Sequence, residues 1–215
     1  MRSLMWLLVL VSAAGCWQPR YFEPRENLTG ASPEGLPAAV YEVARGDDHR
    51  ARGQVRVWSD GARARYGEDD EEVVDLHVAF ELENNGAGAL ELDLASLQVQ
   101  ALQIEGGLEP PLAPSEVEGG ARAEPGATTR VDAVFRPPTA YPSDIDSFDV
   151  RFAVRDNQGG VVGEVTPFAP MPTRFGPGRS FWGDPAWNGA YWGAGPWGFY
   201  GSWGWMPGAV GRRCR

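Results

Sequence analysis

The longest regular pattern in the chain is an alternation of apolar and polar residues in the segment VVDLHVAFELEN. One face of this segment collects the apolar residues Val74, Leu76, Val78, Phe80 and Leu82. The other face collects Asp75, His77, Ala79, Glu81 and Glu83. Strict alternation over this length predicts a β-strand with one buried face and one exposed face.

The same two-residue period recurs along the chain between about residues 38 and 169. Further strands are predicted in AAVYEVAR, QVRVWSDGARAR, LELDLASLQVQAL, VDAVF, SFDVRFAVRD and VVGEVTPF. The alternation points Phe80, Phe135 and Phe152 inward, and a shift of phase near Ala95 predicts a bulge or a change of sheet. About seven strands with turn residues between them, and no helix-length amphipathic segment, predict an all-β antiparallel sandwich.

Three short motifs within residues 54 to 168 make the chain resemble the immunoglobulin-like domains of bacterial envelope lipoproteins. They are Asn84-Asn85-Gly86, Pro125-Gly126 and Phe135-Arg136-Pro137. The resemblance implies a single immunoglobulin-like β-sandwich over residues 38–169. These motifs are turn and core residues, so the resemblance implies no activity. The Cys–Trp–Cys core of antibody domains is absent, which excludes a disulfide-pinned immunoglobulin domain.

The N-terminus has the form of a secretion signal. A charged start at Arg2 precedes the apolar run LMWLLVLV, and small residues follow up to Cys16. The run is shorter than the roughly 20 apolar residues that a membrane-spanning helix needs. AAGC resembles the bacterial lipobox, which implies removal of residues 1–15, a diacylated thiol on Cys16 and an acylated new amine. The alternative is an ordinary signal peptide with a chance cysteine.

A lipidated and flexible tether is predicted for residues 16–37. The segment WQPRYFEPRENLTGASPEGLP contains four prolines and two glycines and has no sustained period. Trp17 follows the cysteine at the position where aspartate would favour retention in the inner membrane. By resemblance to proteobacterial sorting, we expect the protein at the outer membrane, with the membrane as its partner through the lipid on Cys16.

The charge of the chain limits its partners. All 19 basic residues are arginine, which excludes lysine chemistry such as Schiff bases and phosphate-binding loops. Residues 40 to 169 carry 11 arginines against 25 carboxylates, a balance of −14, and residues 170 to 215 carry five arginines against one. The exposed strand faces are acidic in the pattern. We expect no nucleic-acid partner, and a body that anionic lipid repels and that is only tied to the membrane.

Catalytic and metal-binding candidates are weak. His49 and His77 are isolated in sequence, so they predict neither a zinc site nor a catalytic triad. The acidic run GEDDEE is either a weak cation site or a solvated loop before the strand. The run DIDSFD departs from a calcium loop, because Phe148 takes a ligand position and the glycine is missing. Cys214 is either an unimportant tail residue or a disulfide partner for Cys16. The sequence predicts no catalytic residue, no metal and no cofactor.

The C-terminal segment, residues 170–215, is rich in glycine and tryptophan. Six of the nine tryptophans lie in it: Trp182, Trp187, Trp192, Trp197, Trp203 and Trp205. A spacing of five residues fits neither a helix nor a strand. Three interpretations remain open: a low-complexity tail without ordered structure, a segment whose rings stack on glycan or on an envelope protein, and a contact with the membrane interface.

Together these patterns predict a lipid-anchored envelope protein that is a non-catalytic binding or assembly module. The alternative is a passive structural lipoprotein that docks to an envelope complex and carries a functionally neutral tail.

Overall fold

The structure, a computed structural model, describes residues 19–44, 51–67, 69–157 and 160–171. The described residues form two antiparallel sheets and contain no α-helix; two short 3-10 turns occur at Leu94–Ser96 and Pro142–Asp144. The predicted all-β sandwich is confirmed, with 13 strands in the described residues where the pattern predicts about seven. In chain order the strands are β1 (Phe22–Pro24), β2 (Leu28–Ala31), β3 (Pro37–Ala44), β4 (Ala51–Tyr66), β5 (Glu72–Asn84), β6 (Leu90–Leu92), β7 (Gln98–Ile104), β8 (Gly107–Leu108), β9 (Glu116–Gly119), β10 (Arg122–Ala123), β11 (Thr128–Phe135), β12 (Ile145–Asp156) and β13 (Val161–Pro170).

The six-stranded sheet has the order β2-β3-β4-β5-β11-β9, and the seven-stranded sheet contains β1-β13-β12-β6-β10. In the latter, β7 also pairs with β12, and β8 pairs with β7. Strands β2 to β5 follow one another directly in the six-stranded sheet, whereas an immunoglobulin sheet has the order A-B-E-D. The connectivity therefore does not confirm the immunoglobulin-like topology.

A single apolar core fills the space between the two sheets. Phe80 and Phe135 of the six-stranded sheet are fully buried, and Phe152 of the seven-stranded sheet is 2% exposed. The ring of Phe152 packs edge-on against Tyr41 at 5.5 Å and against Phe80 at 5.4 Å between centroids. Across the same interface, the hydroxyls of Tyr41 and Thr166 share a hydrogen bond of 2.8 Å. The inward positions that alternation predicts are confirmed.

The predicted tether is wrong for residues 19 to 37, because this segment belongs to the sandwich. Strand β1 pairs with β13, and β2 pairs with β3. Phe22 is 1% exposed and packs edge-on against Phe148 at 5.0 Å, and Leu36 is 2% exposed. The folded part therefore begins close to Arg20, whose backbone bridges to Ala62. This start lies about 18 residues before the predicted boundary at residue 38.

The shift of phase near Ala95 has a local cause. Strands β6 and β7 both pair with β12, so the chain does not change sheet. The 3-10 turn at Leu94–Ser96 separates them and resets the alternation. The predicted change of sheet is wrong.

The motifs that carry the family resemblance are structural. The buried side-chain amide of Asn84 donates to the carbonyls of Gly88 at 2.8 Å and of Ala123 at 2.9 Å, and its oxygen accepts from the backbone amide of Gly86 at 3.0 Å. Gly126 has a φ of 75° and donates its amide to the Asn84 carbonyl at 2.8 Å. These contacts close the loops that join β5 to β6 and β10 to β11.

Both ends of the described fold lie at one end of the sandwich, which we call the proximal end. Arg20 and Ala62 exchange two backbone hydrogen bonds of 3.0 and 2.8 Å, and the amide of Met171 donates to the Tyr21 carbonyl at 2.9 Å. Gly61 permits this approach, since it has a φ of 94° and a Cβ there would lie 2.6 Å from the Arg20 carbonyl oxygen. The β4–β5, β7–β8 and β11–β12 connections lie at the proximal end. The β5–β6 and β12–β13 connections lie at the opposite, distal end.

Candidate functional site

The residues with predicted functional roles lie outside the described ranges. These are the lipidation candidate Cys16 and the tail residues Trp182, Trp187, Trp192, Trp197, Trp203 and Trp205. Lipidation and recognition by the tail therefore stay predictions. Within the described ranges, no helix is long and apolar enough to cross a membrane.

The outer face of the six-stranded sheet carries paired charges where the sequence predicts an acidic surface. Four arginines form ion pairs with seven carboxylates of this face. The pairs are Arg56 with Glu81 and Glu83, Arg65 with Asp75, Arg130 with Glu34, Asp60 and Asp132, and Arg136 with Asp75 and Glu116. Opposite charges on neighbouring strands stabilise a sheet modestly and favour one pairing register. These seven carboxylates outnumber the four arginines, so the face carries both signs of charge with an acidic excess among these pairs.

At the proximal end, this face forms a charged cleft of about 490 Å³. Its lining consists of Arg65, Gly67, Asp69, Glu71, Val73, Asp75, Glu116 and Arg136. The lining charges alternate in sign across the sheet: Arg65 belongs to β4, Asp75 to β5 and Glu116 to β9, and Arg136 directly follows β11.

The arginines of the charged cleft are already bound to carboxylates. Asp75 accepts hydrogen bonds from Arg65 and, at 3.4 Å, from Nε of Arg136, whose Nη2 donates to Glu116 at 2.9 Å. The hydrogen bond and the charge of Asp75 raise the pKa of Arg65. Two arginines against four carboxylates, those of Asp69, Glu71, Asp75 and Glu116, leave the lining at −2. The cleft is therefore suited to a cationic group, such as a guanidinium or an ammonium, and not to a phosphate.

A second cluster on the same face surrounds Trp58, which is fully buried although it points away from the main core. Its indole Nε1 donates to Asp60 at 3.0 Å, and the guanidinium of Arg130 covers the ring at 5.1 Å from the centroid. Glu34, from the connection between β2 and β3, binds the same guanidinium. Burial lowers the pKa of Arg130, but hydrogen bonds with Asp132 and Glu34 outweigh it and raise that pKa above its ordinary value.

His77 is half-buried on this face, where the sequence predicts a surface histidine. Its burial, and then the charge of Arg63, lower the pKa of the imidazole. The attraction of Asp75, Asp60 and Asp132 acts in the opposite direction and is smaller. The ring is therefore neutral at neutral pH, and the residue does not provide a positive charge to the charged cleft.

The acidic runs have structural roles in the described ranges. Asp144 accepts a hydrogen bond from the Thr139 hydroxyl at 2.7 Å, and Asp146 accepts one from the Gly106 amide at 3.0 Å. Glu71 accepts from the Asp69 amide at 2.9 Å. Among the residues that the structure describes, no group of three or more His, Cys, Asp or Glu side chains is placed to hold a metal ion.

The sequence patterns do not single out Trp58 and Arg130. Alternation within QVRVWSDGARAR places Trp58 on the polar face beside Arg56, and this misplacement of a large aromatic residue is the signal that could have revealed it. A tryptophan on a polar face predicts either a binding surface or a cover supplied by another segment. The structure shows the second, because Arg130 covers the ring and Glu34 holds Arg130.

Comparison with known proteins adds little to this geometry. No model of a known protein family matches the chain, and no curated protein matches it. Among solved structures, the chain is similar to the Northeast Structural Genomics Consortium target SoR45, with 11% identity and a TM-score of 0.35. The match covers 55% of this chain and 87% of that one. A likeness this weak carries no argument about function.

Proposed function

We propose that the chain is a lipid-anchored protein of the bacterial cell envelope, held at the outer membrane through Cys16. The observation that carries the proposal is the apolar run that ends in small residues and Cys16, directly before a folded domain that begins near Arg20. A signal peptide must end before the folded part of a secreted protein begins. Cleavage before Cys16 would leave the sandwich intact, since Arg20, the first paired residue in the described ranges, lies beyond that cysteine with three residues between them.

Within the envelope, we assign the chain the role of a non-catalytic binding or assembly module. The arginines and carboxylates of the six-stranded sheet bind one another, which stabilises the register of the fold and leaves them engaged. The tail tryptophans are the proposed contact with glycan or with an envelope protein, since flat aromatic rings stack on sugar rings and on apolar surfaces. An immunoglobulin-like origin of the sandwich belongs to the same proposal.

Replacing Cys16 by serine is expected to remove the protein from the membrane fraction. Without the thiol there is no site for the diacylglyceryl group, and the chain stays unprocessed or is released. The measurement is fractionation of cells that express the full chain, followed by immunodetection. Cys214→Ser is the matched control and should leave the protein in the membrane fraction. Equal membrane association of the Cys16→Ser variant and the parent chain would refute the lipid anchor.

The fluorescence of the tail tryptophans is expected to report contact with glycan. Adding soluble peptidoglycan or polysaccharide fragments is expected to shift the emission of the full chain to shorter wavelength, because stacked indoles leave water. Replacing Trp187, Trp192 and Trp197 by alanine should abolish that shift, whereas Asn188→Ala in the same segment should preserve it. Lipid vesicles without sugar test the membrane-interface alternative. A spectrum that neither sugar nor vesicles change would support the passive structural lipoprotein instead.

A further inference from the structure

The anchor that the proposed function places at Cys16 is very close to the fold in sequence. Only Trp17, Gln18 and Pro19 separate Cys16 from Arg20, which is paired with Ala62. An extended chain covers at most about 3.6 Å per residue, so four residue steps span roughly 14 Å. Strand β12, with 12 residues, is roughly 40 Å long at about 3.3 Å per residue. The linker is therefore short compared with the sandwich, and an anchor on Cys16 would keep the proximal end near the bilayer.

Hydrogen bonds hold Arg20, near the start of the fold, at the proximal end. The Arg20 guanidinium donates to the carbonyl of Ser143, in the 3-10 turn before β12. The neighbouring carbonyl of Asp144 accepts the Glu105 amide at 3.0 Å, which places the β7–β8 turn beside the same connection. Arg20, the connection before β12 and the β7–β8 turn thus form one surface.

Among the described residues, the proximal end exposes three large apolar or aromatic side chains. Leu108 in β8 is 71% exposed, Tyr66 at the end of β4 is 59% exposed, and Tyr141 in the β11–β12 connection is 44% exposed. They lie in or beside the β4–β5, β7–β8 and β11–β12 connections of the proximal end. Tyrosine is enriched where proteins meet the boundary between lipid and water, because its ring is apolar and its hydroxyl is polar.

We propose that the proximal end is a membrane-docking surface, which contacts the headgroup layer of the bilayer through Tyr66, Leu108 and Tyr141. This proposal rests on the lipid anchor of the proposed function, and it replaces the expectation that the body is merely tied to the membrane. The four carboxylates from Asp69 to Glu72 follow Tyr66 closely in the chain. Their charge opposes contact with anionic lipid, so the surface fits zwitterionic headgroups.

The test uses residues 16–215 with Cys214→Ser, so that the anchor does not depend on processing in cells. A lipid with a cyanobenzothiazole group is joined to the amine and thiol of the N-terminal Cys16, a reaction that spares internal thiols. An environment-sensitive fluorophore is then attached to a single new cysteine, introduced as Leu108→Cys at the proximal end or as Val161→Cys at the distal end. Val161 is the matched control, since it is 59% exposed and starts β13 beside Arg155.

On phosphatidylcholine vesicles that contain headgroup spin-labelled lipid, the label at position 108 is expected to be quenched several-fold more than the label at position 161. Tyr66→Ser together with Tyr141→Ser should reduce the quenching at position 108, and so should replacing part of the lipid by phosphatidylglycerol. Equal quenching at the two positions would overturn the proposal. Quenching at position 108 that the tyrosine substitutions leave unchanged would also overturn it, because proximity through the short linker would then suffice.

The two proposals can fail separately. An unmodified Cys16 in protein isolated from cells would refute the lipid anchor, whereas the chemically coupled chain would still report whether the proximal end contacts a bilayer. Conversely, equal quenching of the labels at positions 108 and 161 would refute the docking surface and leave the anchor intact.

Discussion

Replacing Phe152 by alanine is expected to destabilise the sandwich by about 3–5 kcal/mol. Phe152 is 2% exposed and contacts Tyr41 and Phe80, both of which belong to the opposite sheet. Its truncation therefore leaves a cavity at the interface of the two sheets. A loss of this size is a large share of the roughly 5–15 kcal/mol by which a domain is stable. The measurement is denaturant-induced unfolding of the full chain.

Asp149→Ala is the control for Phe152→Ala, because both residues belong to β12 and Asp149 lies on its outer face. Partial burial and then repulsion from Glu26 raise the pKa of the Asp149 carboxyl, so the fold does not favour its charge. We expect the control to change the free energy of unfolding by less than about 0.5 kcal/mol. If Asp149→Ala proved the more destabilising substitution, the register of β12 would be inverted.

Replacing Trp58 by alanine is expected to cost about 3–5 kcal/mol, as much as a core aromatic residue. The indole is fully buried beneath Arg130, and its Nε1 donates to Asp60. Its removal leaves a cavity under the guanidinium and a carboxylate without that donor. Thermal or denaturant unfolding of the full chain measures the loss.

Trp58→Phe is the matched variant, since it keeps a ring beneath Arg130 and removes only the indole Nε1 and part of the volume. It should cost clearly less than Trp58→Ala. A loss for Trp58→Ala within the roughly 0.5 kcal/mol of an ordinary surface substitution would show that the outer face is not packed around this residue.

Alternation predicted the inner faces well because it reports a property that is local to each strand. A two-residue period states which side chains share a face, and the apolar face is the one that packs against the other sheet. Phe80, Phe135 and Phe152 are buried as that period predicts. The turn at Pro125-Gly126 was also predictable, because Gly126 has the positive φ that such a turn requires.

The beginning of the fold was not predictable from local composition. Prolines and glycines around β1 and β2 indicate a linker, and each strand is only three or four residues long. Strand β1 depends on a distant partner: Phe22 pairs with Pro170 at the other end of the described chain. Isolated apolar residues such as Phe22 and Leu36 have no period that could reveal such contacts.

The cluster around Trp58 was not predictable for a related reason. Periodicity assigns Trp58 to a face but does not say what covers that face. The cover comes from Arg130 and Glu34, which are 96 residues apart in sequence. The charged cleft likewise depends on the neighbours that the sheet order gives to Asp75 of β5, namely β4 and β11, and only the first of these is adjacent in the chain.

The proposed outer-membrane location and the proposed docking of the proximal end both depend on the lipid anchor at Cys16. Intact-mass measurement of the protein extracted from membranes tests it most directly. We expect a chain that begins at Cys16, lacks residues 1–15 and carries the added mass of a diacylglyceryl group and one further acyl chain. A chain that keeps residues 1–15, or one cleaved there with an unmodified Cys16, would contradict it.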